Sequence, residues 1–124
     1  MAEKPKILIA DDMDTVVKLE TILLRRTGSD IIVAKTGTEA LKKVQTERPN
    51  VALLDLSMPE MNGDVVCKFI KGNPSLRDIK VIIVTARGEK DAEERCRNAG
   101  CDHFMTKPIK HTELLQVVEN FLKK

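Results

Sequence analysis

Tryptophan and tyrosine are absent from this chain, and Phe69, Phe104 and Phe121 are its only aromatic side chains. Stacking on nucleobases or on a flavin ring relies on aromatic faces, so their scarcity argues against both roles. Long apolar runs are also missing. Ile7-Leu8-Ile9-Ala10 and Val81-Ile82-Ile83-Val84 fall far short of the ~20 residues that cross a bilayer as a helix. Met1-Ala2-Glu3-Lys4-Pro5 has no apolar stretch of the kind that directs secretion, so a cytoplasmic location is expected. Neither sign of charge dominates: 21 Lys and Arg are interleaved with 19 Asp and Glu, for a net charge of +2. No basic block matches a phosphate backbone, and nucleic acid is not expected as a direct partner. Cys67, Cys96 and Cys101 are odd in number and lack CxxC spacing. They read as reduced, semi-buried thiols; a metal site at Cys96 and Cys101 would need further ligands to converge. No repeat, low-complexity tract or Pro/Gly/Ser-rich linker divides the 124 residues. One domain over 1–124, long enough to bury its own core, is expected.

What the chain does have is a regular alternation. Five short apolar runs predict strands over 6–10, 31–34, 51–55, 81–85 and 103–106. The first, third and fourth are apolar almost throughout, as central parallel strands covered on both faces should be. The run 103–106 is the least apolar and suits an edge. Five amphipathic stretches between them predict helices. The first covers about 14–27, with Asp14 as a candidate N-cap and Gly28 as its stop. Thr36-Gly37-Thr38-Glu39 has the capping-box pattern that opens the second, which ends before Pro49. The third covers 63–71 ahead of Gly72 and Pro74, and the fourth 90–98 ahead of Gly100. The last covers 112–122, with Leu114, Leu115, Val118, Phe121 and Leu122 as its apolar stripe. Strict β-α alternation predicts an α/β fold, a doubly wound parallel sheet with helices on both faces. For five strands the flavodoxin-like order 2-1-3-4-5 is expected, with the functional site at the carboxyl ends of strands one and three.

The residues at that edge carry the chemistry. Strand one runs into Asp11-Asp12, strand three into Asp55, strand four into Thr85 and strand five into Lys107-Pro108. Each has an ordinary explanation alone. An acidic pair satisfies a helix start, an Asp ends a strand in a turn, Thr is a β-former, and a Lys before Pro is a solvated loop residue. Together they place three carboxylates at one edge, where mutual repulsion raises at least one pKa. The Lys107 ammonium or a hard divalent cation with oxygen ligands relieves that repulsion. Carboxylate, ammonium, hydroxyl and cation together form a charge clamp for a phosphoryl group. A carboxylate is itself able to accept that group as an acyl phosphate.

In order and in type, these segments resemble the receiver domain of bacterial response regulators over essentially the whole chain. The resemblance rests on Ile7-Leu8-Ile9-Ala10-Asp11-Asp12, on Leu53 through Gly63 around Asp55, on Ile83-Val84-Thr85-Ala86, and on Ala99 through Pro108. It implies that Asp55 is the phosphoryl acceptor. Asp12, Asp55 and the backbone carbonyl of Ser57 would hold Mg²⁺ or Mn²⁺, with Asp11 acting through water. Lys107 would pair with the phosphoryl oxygens, Thr85 would swing in to bond one of them, and Phe104 would report activation through its rotamer. Lys107-Pro108 would be cis, a form that costs only ~0.5–1 kcal/mol before proline. The readout surface would be helix four, strand five and helix five. A sensor histidine kinase or histidine phosphotransfer protein would be the donor, and a downstream protein the target. Such a module promotes part of its own phosphorylation and dephosphorylation without being a turnover enzyme.

Four departures from the family pattern stand out. Cys101 replaces the usual Ala, Lys80 a common Pro, and Phe104 a frequent Tyr. Ser57 and Arg87, two residues beyond Asp55 and Thr85, occupy positions that in this family influence phosphoryl lifetime. Arg87 fits a phosphate partner and a solvated loop residue equally. An aspartate-nucleophile phosphatase of the haloacid-dehalogenase kind is disfavoured, because its second Asp would fall at Ser57 and its cap domain has no residues here. No output domain follows the fifth helix, which fits either a stand-alone regulator or a piece of a longer protein.

Overall fold

A computed structural model describes residues 4–123, so most of the N-terminal pentapeptide lies outside the described residues. The element order is β1 (Lys6–Ala10), α1 (Asp14–Arg25), β2 (Asp30–Ala34), α2 (Gly37–Glu47), β3 (Val51–Asp55), α3 (Gly63–Gly72), β4 (Lys80–Thr85), α4 (Ala92–Ala99), β5 (His103–Thr106) and α5 (His111–Leu122). All four strand pairings are parallel, and the sheet order is β2-β1-β3-β4-β5. Fold class and strand order are therefore as expected. No helix among the described residues is long and apolar enough to cross a membrane.

Side chains alternate across each central strand with period two, which divides the core into two layers. Leu8, Ala52, Leu54, Val81 and Ile83 face α2, α3 and α4, where they meet Val44, Val66, Ile70 and Cys96. Ile7, Ile9, Leu53, Ile82 and Val84 face α1 and α5, where they meet Leu24, Leu114 and Val118. Burial on both faces explains the unbroken apolar runs of β1, β3 and β4. Because β1 leads to β2 through α1 and β3 follows through α2 on the opposite face, a crevice opens beyond the carboxyl ends of β1 and β3.

Several boundaries differ from expectation, each for a local reason. Asp14 is not the N-cap of α1. Met13 holds that position with extended backbone, and Asp14 is the first helical residue. The carboxylate that serves this helix start is Asp11, whose Oδ1 accepts from Met13 N–H at 2.9 Å. Helix α1 ends at Arg25, because Arg26, Thr27 and Gly28 close turns onto Leu23, Leu24 and Arg25. Thr36 caps α2 as expected, accepting from Glu39 N–H at 3.1 Å, but the Glu39 carboxylate returns to Lys35 N–H at 2.6 Å. Helix α4 starts two residues late, since Asp91 has φ 55° and cannot extend it. Lys80 is not a loop residue but opens β4 opposite Val51.

Helix α4 ends at Gly100, φ 81°, with Cys101 N–H donating to Cys96 O. In this type of helix stop the residues at those two positions touch, which brings Cys96 and Cys101 together. Burial pushes the Cys67 and Cys96 thiols up to about 12, and burial also raises Cys101. Shifts in this direction suit packing thiols, and the cluster of potential metal ligands found among the described residues contains no cysteine.

Candidate functional site

The sheet ladder extends past the strands at the points where the acidic and basic residues sit. Asp11 N–H donates to Ala34 O at 3.1 Å, Leu56 N–H to Val84 O at 2.8 Å, and Lys107 N–H to Thr85 O at 2.8 Å. Main-chain bonding of this kind fixes Asp11, Asp55 and Lys107 on rigid elements. The loop after β3 is held equally closely. Gly63 N–H donates to Leu56 O at 2.8 Å, and a Cβ on Gly63 would overlap the Asp55 carbonyl oxygen. Gly37 N–H donates to Pro59 O, and a Cβ there would overlap the Met61 carbonyl. Only glycine allows these approaches.

Three carboxylates converge as predicted. Oxygens of Asp11, Asp12 and Asp55 all lie within 4.8 Å of one another. Asp11 is 2 % exposed and Asp55 9 %, whereas Asp12 faces solvent. Lys107 Nζ lies 3.4 Å from Asp11 Oδ2 and 3.4 Å from Asp55 Oδ2, and the Lys107–Pro108 peptide is cis. Burial raises the Asp55 carboxyl and Asp11 raises it further, while Lys107 and the Ser57 N–H act against them. Burial by itself would lower the Lys107 ammonium, but Asp55 and Asp11 outweigh it and the net direction is upward. The donor set of this cluster, hard oxygens with a solvent-facing member, fits a cation such as Mg²⁺ or Mn²⁺. Both Asp11 oxygens already have protein partners, Met13 N–H and Lys107.

Thr85 lies at the expected strand end and is 2 % exposed, yet its hydroxyl is turned toward β5. It lies 3.4 Å from Met105 O and 3.3 Å from Thr106 Oγ1. Phe104 is half-buried in β5, paired with Ile83, and packs on the core layer that holds α4. Ser57 is exposed, with its N–H 3.4 Å from Asp55 Oδ1. Arg87 is exposed and forms no ion pair among the described residues.

Two groups escaped the sequence reading. Glu89 bonds the Ser57 hydroxyl, accepts Ala86 N–H at 2.9 Å, and lies 3.8 Å from Arg95, whose guanidinium holds Asp64. Nothing in the residue order signals this bridge between the two loops around Asp55. Glu20 is 6 % exposed, and its pKa is pushed up to about 8 by burial first and by Asp11 next. Its signal was available. Val17, Glu20 and Leu24 fall on one helical stripe, so the pattern places an acid on the buried face of α1.

Comparison with known proteins gives the class. The model for the response regulator receiver domain matches residues 7–119. The polar-differentiation response regulator DivK of Brucella anthropi is 34 % identical over 116 residues, 94 % of each chain. The signal receiver domain of a histidine kinase from Syntrophus aciditrophicus superposes with a TM-score of 0.89 at 34 % identity, covering 95 % of this chain and 89 % of that one. The manganese-bound form of response regulator Rcp1 superposes with a TM-score of 0.77 at 26 % identity, covering 94 % and 90 %. The chain belongs to the response regulator receiver domains, the phosphoryl-accepting regulatory modules of two-component signalling. A haloacid-dehalogenase-type phosphatase is not favoured, since Ser57 occupies the place of that class's acid/base.

Proposed function

We propose that residues 1–124 work as one receiver domain in which Asp55 takes the phosphoryl group. The observation that carries this reading is Lys107 Nζ held 3.4 Å from both Asp55 and Asp11 at the carboxyl edge of the sheet. Lys107 opposes the rise that burial and Asp11 impose on the Asp55 carboxyl, which favours its nucleophilic carboxylate form. An Asp55 oxygen attacks the phosphorus of a phosphohistidine, on a sensor histidine kinase or a histidine phosphotransfer protein. The P–N bond breaks, the imidazole leaves with its electron pair and takes up a proton, and an aspartyl phosphate remains. Hydrolysis returns Asp55 when water attacks phosphorus and the P–O bond to Asp55 breaks. Mg²⁺ or Mn²⁺, held by Asp12, Asp55 and the Ser57 carbonyl with Asp11 through water, would supply charge neutralisation at the phosphoryl oxygens. The manganese-bound Rcp1 relative and the cluster of Asp11, Asp12 and Asp55 support a divalent cation at this edge.

The phosphoryl group brings about −1.5 to −2 charge and three acceptor oxygens to the edge. Lys107 meets one oxygen. Thr85 meets another by leaving Met105 and Thr106, which frees the space beside β5 that Phe104 enters. The changed surface is α4, β5 and α5, and a downstream protein reads it. Incubation with acetyl phosphate and Mg²⁺ followed by intact-mass measurement tests the acceptor. A phosphate adduct is expected, absent in Asp55→Asn and without the cation. An adduct that survives Asp55→Asn would place the acceptor elsewhere.

A further inference from the structure

A cavity of about 240 Å³ opens between α1 and the segment that joins β5 to α5. Val16, Leu19, Leu23, Pro108, Ile109 and Leu114 make most of its wall, and Glu20, Lys107 and His111 contribute its polar groups. Lys107, which also meets Asp11 and Asp55, lines it. Glu20 is the unusual member. More than nine-tenths of the residue is buried, its carboxyl makes no hydrogen bond among the described residues, and the phosphoryl chemistry does not use it. Its carboxyl oxygens keep some exposure and Glu20 lines the cavity, so the group has room for a partner there. Features that break a local rule in this way are expected at binding sites.

We propose that this cavity is a binding site for a small organic ammonium ion, an apolar body ending in an amine that pairs with Glu20. Charge selects the head group. The Lys107 ammonium is already shared between Asp11 and Asp55, so Glu20 is the carboxyl left without a cationic partner. Beyond burial, Asp11 and Asp55 raise Glu20 while Lys107 lowers it, so two carboxylates face one ammonium around it and an anionic head would add to that negative balance. An ammonium offers up to three donors to the carboxyl and offsets that excess. The apolar wall selects the body. A dry cavity of about 150 Å³ admits benzene, so the space here holds a ring with a two-carbon arm, about nine non-hydrogen atoms. Because Lys107 lines the cavity as well as the acceptor cluster, an occupant touches the lysine assigned to the phosphoryl group. The site itself does not depend on that assignment.

Titration of the full chain at pH 8.8 without Mg²⁺, where a carboxyl pushed up to about 8 is ionised and the amine is still cationic, tests this, with 2-phenylethylamine as probe and 2-phenylethanol as its neutral counterpart. Methyl NMR signals of Val16, Leu23, Ile109 and Leu114 should shift saturably with the amine, at millimolar affinity. The alcohol should bind at least tenfold more weakly to the unmodified protein, a comparison that requires no variant to fold. Glu20→Gln should weaken the amine at least tenfold and leave the alcohol unchanged. The proposal is overturned by any of three results: no saturable shift with the amine, equal binding of the alcohol, or undiminished amine binding in Glu20→Gln. Shifts confined to the exposed Ile22, which does not line the cavity, would show surface adsorption and overturn it as well.

Discussion

Lys107 Nζ stands 3.4 Å from Asp55 Oδ2, and the same ammonium reaches Asp11 Oδ2 at the same distance. One cation therefore answers two carboxylates that are almost fully buried, with Asp12 adding a third. Lys107→Met leaves these acids facing one another. A loss of about 1–3 kcal/mol at pH 7 is expected, below the full cost of breaking a buried pair because the lysine is partly exposed. Mg²⁺ at millimolar concentration should restore more stability to the variant than it adds to the unmodified protein, since the ion replaces the missing charge. Urea unfolding with and without Mg²⁺ measures both; equal Mg²⁺ effects in the two proteins would show that Lys107 does not neutralise the cluster.

Gly63 and Gly72, at opposite ends of α3, should respond oppositely to alanine. The added Cβ of Gly63→Ala meets the main chain of Asp55 itself, which no rotamer change relieves. Destabilisation of at least about 2 kcal/mol is expected, with weaker Mg²⁺ binding as Asp55 is displaced. At Gly72 nothing lies within 4 Å, and Gly72→Ala is expected to be neutral or to stabilise by up to ~1 kcal/mol. Thermal unfolding and Mg²⁺ titration of both variants check this. A well-folded Gly63→Ala with unchanged Mg²⁺ affinity would contradict it.

Most of the architecture was legible because burial on both sheet faces writes unbroken apolar runs into β1, β3 and β4. Those runs ended where Asp11, Asp55 and Thr85 stand. Lys107 was found by its place at the end of the fifth run and by the resemblance of its Lys-Pro segment to the family, since a lysine before proline has no signal of its own. Helix boundaries were less legible. They depend on which side chain wins a particular N–H, and Asp11 rather than Asp14 serves the start of α1. The Ser57–Glu89–Arg95–Asp64 bridge was invisible for a different reason. It joins loops and helices separated by dozens of residues, and no local period records such a contact. Glu20 was visible in the helical stripe, but its meaning required knowing that Asp11 and Lys107 lie beyond it.

The displaced acidity of Glu20 sets a pH dependence whose sign is fixed. Its ordinary value of 4.5 becomes about 8 in the folded chain, burial being the main cause. The folded state therefore keeps a proton that the unfolded state releases, and stability falls as pH rises through that window, levelling above about 8. Glu20→Gln removes the effect. Its stability relative to the unmodified protein should improve by up to ~1.4 kcal/mol for each pH unit between 5 and 8. Urea midpoints measured across pH 5–8.5 without Mg²⁺ decide it, and parallel curves for the two proteins would sink the assignment.

Thr85 follows Val84, the β4 partner of the proposed acceptor Asp55, and its two resting contacts on β5 define what its removal should do. At 3.4 Å from Met105 O and 3.3 Å from Thr106 Oγ1, the hydroxyl is only weakly held, so little is lost when it turns toward a phosphoryl oxygen. Thr85→Ala should cost no more than about 1 kcal/mol of stability, because it removes long hydrogen bonds and one methyl-sized volume. The variant should still accept a phosphoryl group, since Asp55 and Lys107 keep their places. It should fail to pass the change on. With fluorinated phenylalanine at position 104, beryllofluoride and Mg²⁺ should move the ¹⁹F signal of the unmodified protein and leave that of Thr85→Ala in place. Thr85→Ser, which retains the hydroxyl, should recover most of the response. A full shift in Thr85→Ala would mean that Phe104 moves independently of Thr85, and the coupling would then have to run through Lys107 and the β5–α5 segment instead.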